Sequence, residues 1–321
     1  MKTRAFCGKM IRKYTKRGKR MHTEKANAKI NVYLNIHSRR NDGYHNIVSV
    51  MQTVSLCDLV TVDFQPAPKT QIALSISNNP ELPTDCRNLA WRAAELFLQH
   101  TKQTGRVQIT IDKQIPMAAG LAGGSADAAA VLRALNAICG HPFSSEELCK
   151  IGLTLGADVP FCIHGGTMLV TGIGERLQRI PDMPPCALVI AIGKEGVSTP
   201  QAYAALDEIY GFFEQPNTQN TDVQELIELW QKGDLPASFT NFFNIFEDVI
   251  AKEIDEIAII KKMMREGGAM RSMMSGSGPS VFGVFDTLTE AEKTCQELQN
   301  KGFGAFVCSP CEQYLDKKTK K

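Results

Sequence analysis

Apolar and polar residues alternate near the start of the chain. Ala28, Ile30, Val32, Leu34 and Ile36 fall on one side, and Asn27, Lys29, Asn31, Tyr33 and Asn35 on the other. A period of two predicts a strand with one polar face, with globular sequence beginning at Ala26. Further strands are expected at about 47–54, 58–64 and 71–76. Asn88 then opens a helix that places Leu89, Ala93, Leu96 and Phe97 on one face. The pattern returns to alternation at Val107–Ile111, and a long helix of small residues follows, with Ala128, Val131, Leu132, Leu135 and Ile138 on its apolar side. Ser144-Ser-Glu-Glu147 spells a capping box for the next helix, which is expected to run to Gly156.

Between the strand ending at Ile111 and the small-residue helix lies Pro116-Met-Ala-Ala-Gly-Leu-Ala-Gly-Gly-Ser-Ala126. Glycine permits a tight turn and a close backbone approach to a ligand. The free N–H groups of a helix N-terminus, together with its dipole, favour phosphate. Ser125 reads as the N-cap, and Ala122 suits the loop if its φ is negative. No lysine follows the last glycine, and the spacing is not G-x-G-x-x-G, so neither the Walker A nor the dinucleotide pattern applies. Taken alone, such a turn serves packing about as often as it serves phosphate.

A proline cluster at Pro181–Pro185 marks the expected boundary between two domains, 22–181 and 182–312. Beyond it come a strand at 187–192 and a helix opened by Ser198 or Thr199, with Pro200 near its first turn. A polar loop at 211–220 and helices at about 222–232 and 241–265 follow, with Phe242, Phe243, Ile245, Phe246 and Ile250 expected in the core. Strands flank the turn Ser275-Gly276-Ser277-Gly278, and a helix at 289–300 and a strand at 303–308 complete a β, helices, β, β, α, β order. That order fits a split βαβ, ferredoxin-like arrangement.

Composition narrows the class. Hydrophobic residues make up 43% and charged residues 22%, as in an ordinary globular protein. The net charge of +2 is uneven: nine Lys or Arg and no acid fall in the first twenty residues, and four Lys in the last five. Residues 1–21 and 313–321 read as basic tails around an acidic remainder, which argues against a nucleic-acid surface. No apolar run reaches the ~18 residues of a membrane span. Ten cysteines without a secretory signal point to the cytoplasm, and Cys308-Ser-Pro-Cys311 lacks the second pair a zinc site needs.

Three stretches resemble one superfamily in order. The 116–126 loop resembles the second motif of the kinases named for galactokinase, homoserine kinase, mevalonate kinase and phosphomevalonate kinase (GHMP), with Ala122 and Ala126 in place of a usual glycine and serine. The 270–285 stretch resembles their third motif. Ala26-Asn-Ala-Lys-Ile-Asn31, Asp42-Gly-Tyr-His45 and Gly156-Ala-Asp158-Val-Pro160 are similar to one branch, the 4-diphosphocytidyl-2-C-methyl-D-erythritol kinases.

The resemblance implies a two-domain α+β fold, with a ribosomal protein S5 domain 2-like N-terminal part and a ferredoxin-like C-terminal part. It implies ATP and Mg²⁺ as cofactors and phosphorylation of the 2-hydroxyl of the cytidyl substrate. Asp158 would be the base, with Lys29 stabilising both that carboxylate and the developing oxyanion. Asn31, Tyr44, His45, Thr199 and Tyr203 would bind substrate, the Tyr44-His45 pair by stacking on the cytosine and hydrogen-bonding its edge, with Tyr203 closing the other face. Pro116, Ala118, Ala119, Gly120, Leu121, Ala122, Gly123, Gly124, Ser125 and Ala126 would bind ATP, with Asn88 near the adenine. Ser275, Gly276, Ser277 and Gly278 would face the site. No dedicated metal ligands are expected, Ser125 and Asp127 being the candidates. A monomer or weak homodimer without nucleic-acid or membrane partners completes the expectation. A sister kinase without cytidine preference, or a catalytically silent sensor, remains open.

Overall fold

The computed structural model describes residues 20–211 and 221–314. Most of the two basic tails, and residues 212–220 of the polar loop, lie outside them. The N-terminal layer runs β1 (Arg20–Arg39), β2 (His45–Pro66), β3 (Gln71–Ser77), α1 (Leu89–Thr101), β4 (Gly105–Asp112), α2 (Gly123–Ile138), α3 (Ser145–Leu153), α4 (Val159–His164), β5 (Thr167–Gly172) and β6 (Arg176–Arg179). The chain continues through β7 (Ala187–Ile192), α5 (Thr199–Tyr210), α6 (Thr221–Gln231), β8 (Phe243–Asn244), α7 (Ile250–Glu253), α8 (Asp255–Glu266), β9 (Arg271–Met274), β10 (Val281–Phe285), α9 (Leu288–Asn300) and β11 (Gly304–Cys308).

One sheet follows the order β3-β4-β2-β1-β8, with β5 pairing a different stretch of β2 and β6 pairing β5. The strands expected at 47–54 and 58–64 are one strand, long enough to pair β5 at Ile47–Gln52 and β4 at Leu59–Pro66. β4 alternates as expected: Val107, Ile109 and Ile111 are buried while Arg106, Gln108 and Thr110 face water. Helix α2 is buried on almost every side. Its alanines let the backbone sit close to β1, β2, α1 and α4 at once.

The second sheet has the order β11-β7-β10-β9, all antiparallel. This is the split βαβ order expected of a ferredoxin-like layer. The described chain continues past its last strand. Residues 309–314 return to the first sheet, where Pro310 bridges Val54 and Gln313 bridges Gly165.

Several sequence expectations are corrected. β1 begins at Arg20 rather than Ala26, and its polar face is not solvated: Asn27, Lys29, Asn31 and Asn35 are all buried. Two register shifts, between Asn27 and Lys29 and between Asn31 and Tyr33, bend the strand at this point. The helix expected at 241–265 is broken into β8, short turns, α7 and α8. The Asn244 side chain causes the first break. It accepts from Phe246 N and donates to the Met274 and Gly276 carbonyls, which holds the backbone out of a helix. Phe243, expected in the core, is 39% exposed.

Candidate active site

The two layers enclose a cavity of about 470 Å³. Its floor is the meeting point of three sequence stretches. Lys29 Nζ, on β1, donates to Asn31 Oδ1 at 2.5 Å and to the Gly120 carbonyl at 2.9 Å. The same carbonyl accepts from Ser275 Oγ at 3.4 Å, and Ser275 Oγ accepts from the Asn31 N–H at 3.2 Å. Asn31 Nδ2 reaches Ser49 Oγ at 2.8 Å. Gly120 has φ +72°, and a Cβ there would collide with the Ser275 carbonyl. Only glycine allows the two loops to approach this closely.

The loop then feeds α2, but not as the sequence suggests. Ser125 is not the N-cap: the helix starts at Gly123 and Ser125 sits inside its first turn. The N-cap is Ala122, which has φ +57° and no side-chain cap bond. An alanine therefore occupies the left-handed region, at a cost of about 1 kcal/mol. Pro116, Ala118, Ala119, Leu121, Gly123 and Gly124 line the cavity with Ser125. Ala126 does not; it is buried inside the helix packing. Asn88 also lines the cavity and caps α1, accepting from Ala90 N at 2.9 Å and donating to the Pro83 carbonyl at 2.9 Å.

Beneath the loop is a buried cluster that pattern reading missed. Lys113 Nζ donates to Asp58 Oδ2 at 2.5 Å and to Asp127 Oδ2 at 2.7 Å. Asp58 Oδ1 accepts the Gln114 and Ile115 N–H groups at 2.5 and 2.7 Å. These bonds tie the start of the loop to the start of α2. Burial acts to lower the Lys113 pKa, but the two carboxylates outweigh it and hold the ammonium above its ordinary value. Burial, and then the neighbouring Asp58 charge, keep the Asp127 carboxyl above the usual carboxylate range. The signal available in the sequence was Asp58 itself, an acid inside an apolar strand.

Asp158 lines the cavity as the N-cap of α4. Among the described residues no ion pair joins it to Lys29, whose ammonium instead holds Asn31 and the glycine loop. Thr199 Oγ1 lies 2.9 Å from Ser277 Oγ, and both line the cavity with Gly276. Ser275 and Gly278 lie behind that wall.

The expected base-binding trio is not assembled. The Tyr203 ring lies on the His45 ring at 4.8 Å, tilted by 29°, and meets Phe246 edge-on at 4.9 Å. His45 Nε2 is 2.7 Å from Asp207 Oδ1, and Arg39 reaches the other Asp207 oxygen at 3.3 Å. Tyr203 faces the cavity and His45 is buried behind it. Tyr44 is 59% exposed and lies outside the cavity lining. Burial, then the Asp158 charge, pushes the Tyr203 phenol up.

Comparisons with known proteins place the chain in a family. Residues 88–166 match the family description "GHMP kinases N terminal domain", and 222–304 match "GHMP kinases C terminal". A Clostridium novyi protein named 4-diphosphocytidyl-2-C-methyl-D-erythritol kinase is 41% identical over 284 residues, covering 88% of this chain and 98% of its own. The chain belongs to the 4-diphosphocytidyl-2-C-methyl-D-erythritol kinase family. A Bacillus pumilus kinase of the same name is 40% identical over 87% of this chain and 93% of its own. A crystal structure of a 4-(cytidine 5'-diphospho)-2C-methyl-D-erythritol kinase superposes with TM-score 0.73 at 31% identity, covering 90% of this chain and 98% of that one. Alike in fold alone, the L. major mevalonate kinase gives TM-score 0.71 at 17% identity over 94% of this chain and all of that one. The two-domain GHMP kinase fold is thereby established.

Among the described residues no helix is long and apolar enough to cross a membrane. The nine described cysteines form no disulfide, and no described cluster of His, Cys, Asp or Glu suits a metal ion. Burial pushes the Cys311 thiol up to about 11, so the C-x-x-C is not thiolate-rich at neutral pH.

Proposed function

We propose that this kinase transfers the γ-phosphoryl group of ATP to the 2-hydroxyl of 4-diphosphocytidyl-2-C-methyl-D-erythritol, giving the 2-phosphate and ADP in the non-mevalonate route to isoprenoid precursors. One observation carries the reading. Lys29 and Ser275 converge on the Gly120 carbonyl, and Asp158 opens on the same cavity. The cavity volume lies in the range of small-ligand sites.

The triphosphate occupies the loop 120–125, where the N–H groups at the start of α2 receive it. Asn88 and Leu89 form the wall on the adenine side. Asp158 accepts the proton of the attacking hydroxyl as its oxygen bonds to phosphorus and ADP leaves. Lys29 has three donors, two of them spent on Asn31 and Gly120, and the third serves the developing negative charge on oxygen. Tyr203, His45 and Tyr44 take the cytosine, with Tyr44 turning in from solvent and Thr199 closing the pocket.

The residues present fit Mg²⁺ held mainly by phosphates. Asp127 Oδ1 is buried without a hydrogen-bond partner, and Ser125 stands in the same helical turn. These two oxygens would hold the ion, which would neutralise charge between phosphates. The absence of disulfides among the described residues suits a reducing cytoplasm, and the enzyme is read as a monomer or weak homodimer.

A coupled ADP-release assay tests the reading. Turnover is expected with the cytidyl substrate and not with mevalonate or homoserine. Asp158→Asn is expected to lower kcat by about 10²-fold or more with the KM for ATP nearly unchanged. Turnover of another alcohol would discard the cytidine assignment, and near-native kcat in Asp158→Asn would discard the base.

A further inference from the structure

Arg133 lies far along α2 from the phosphate loop, yet it joins the two elements that carry Lys29 and Asp158. Its NH1 donates to the Cys162 carbonyl of α4 at 2.6 Å. Its NH2 donates to the Lys25 carbonyl of β1 at 2.7 Å, and Nε approaches Glu24 at 3.4 Å. The guanidinium lies 4.0 Å above the ring of Tyr314, a residue of the strap that returns from β11.

Tyr314 repeats the same bridge. Its hydroxyl donates to Asn27 Oδ1 at 2.7 Å and lies 3.2 Å from the Lys25 carbonyl. Its backbone N–H donates to the His164 carbonyl at 2.9 Å, the last residue of α4. Its ring presses on Gly165, where a Cβ would lie 2.8 Å from ring carbon Cδ2. The strap is fixed over its length, with Cys311 N on the Thr53 carbonyl at 2.8 Å and Gln52 Nε2 on the Cys311 carbonyl at 3.0 Å.

The geometry makes these contacts matter at the reacting groups. Asn27 stands two residues before Lys29, across the register shift that turns the strand. Helix α4 is six residues long, about 9 Å, so a tilt at His164 is felt at its N-cap, Asp158. Arg133 therefore joins β1 upstream of Lys29 to α4 downstream of Asp158 through its side chain, and Tyr314 joins the same two elements through its hydroxyl on β1 and its backbone N–H on His164.

We propose that Arg133 and Tyr314 form a strut that sets the separation of Lys29 and Asp158, making Tyr314 a positioning residue supplied by the end of the chain. The inference rests on the kinase reading for its catalytic consequence, while the strut itself is a statement about β1 and α4. It touches neither the glycine loop nor the base pocket. Its loss is therefore felt in kcat and not in the affinity for ATP. A misplacement of about 1 Å costs up to about 10²-fold in rate.

Two variants and two measurements test it. Tyr314→Phe keeps the ring under Arg133 and against Gly165 but removes the bonds to Asn27 and Lys25. It is expected to lower kcat about threefold to tenfold, with the KM for ATP within twofold. Tyr314→Ala is expected to lower kcat further, with Phe rescuing part of the loss. Amide hydrogen exchange of the full-length protein is expected to quicken in Tyr314→Phe at residues 25–31 and 159–165 and nowhere else. Unchanged exchange in both segments overturns the strut, as does a kcat equal to wild type in Tyr314→Phe. Exchange that quickens throughout the protein also overturns it, because the residue is then only a general stabiliser. A wild-type protein without turnover strikes the kinase reading instead, and the exchange measurement still decides the strut.

Discussion

The two ends of the cavity are built differently. The phosphate end is finished before any ligand arrives: the Gly120 carbonyl, Lys29, Asn31 and Ser275 are bonded to one another, and Lys113 locks the loop from below. The base end is closed on itself, with Tyr203 lying on His45 and Tyr44 out in solvent. One end is made of backbone groups held at fixed φ, and the other of rotatable rings. A triphosphate presents the same charges whatever nucleoside carries it, so a rigid cradle loses nothing in recognition and gains in preorganisation. On the proposed function a flat base is admitted between rings, so that end has to open.

The strongest way to break the contrast is to disturb the rigid end. Gly120→Ala places a methyl against the Ser275 carbonyl, at φ +72°. Both the collision and the backbone strain act on the carbonyl that gathers Lys29 and Ser275. We expect kcat/KM to fall about 10²-fold with both substrates present at the site, and stability by about 2 kcal/mol. Steady-state kinetics and urea unfolding check both numbers. A variant with native kinetics would show that the loop has slack and that the cradle is not rigid.

The base end should answer more gently. Tyr44→Ala removes a side chain that is mostly exposed, so folding stability is expected to stay within about 0.5 kcal/mol. If Tyr44 turns in over the cytosine, losing one stacking surface is worth about 1–3 kcal/mol. We therefore expect the KM for the cytidyl substrate to rise about tenfold or more, with the KM for ATP and kcat little changed. Equal KM values for the variant and the wild type would leave the cytosine to His45 and Tyr203 alone.

The same division explains what could be read from the sequence. Gly120 announces a backbone site because only glycine meets the steric demand there, and a Cβ at Gly123 would press on Ile115 and Lys113, so spelling and geometry coincide. Ser125 misled because serine favours N-caps in general, while here Ala122 takes the left-handed cap and Ser125 is already the third residue of the helix. Alternation on β1 located the face that carries Lys29 and Asn31, but it cannot tell water from another buried loop as the neighbour of a polar face. The break at Asn244 depends on carbonyls 30 and 32 residues away, and the Tyr314 bond to Asn27 spans 287 residues. No local window contains such partners. Side-chain placement at the base end was the least legible, because the rings of Tyr44, His45 and Tyr203 each have more than one rotamer consistent with their backbone.

The smallest expected effect concerns how the rigid end is held. Asp127 is buried, and burial together with Asp58 keeps its carboxyl above the ordinary carboxylate range despite Lys113. Between the ordinary value and the raised one, the native state holds a proton that the unfolded chain releases. Stability from this group is then fully present below the ordinary carboxylate value and is lost as pH rises through the raised one. Asp127→Asn has no proton to lose and keeps an oxygen for Lys113, with Asp58 still balancing the ammonium. We expect wild type and variant to unfold in urea with similar stability near pH 4, and the variant to be the more stable of the two at pH 8. A wild-type slope with pH that survives in the variant would mean that the loop is anchored by Asp58 and Lys113, and that Asp127 carries its charge at no cost because an ion or a phosphate-bound metal is its real partner.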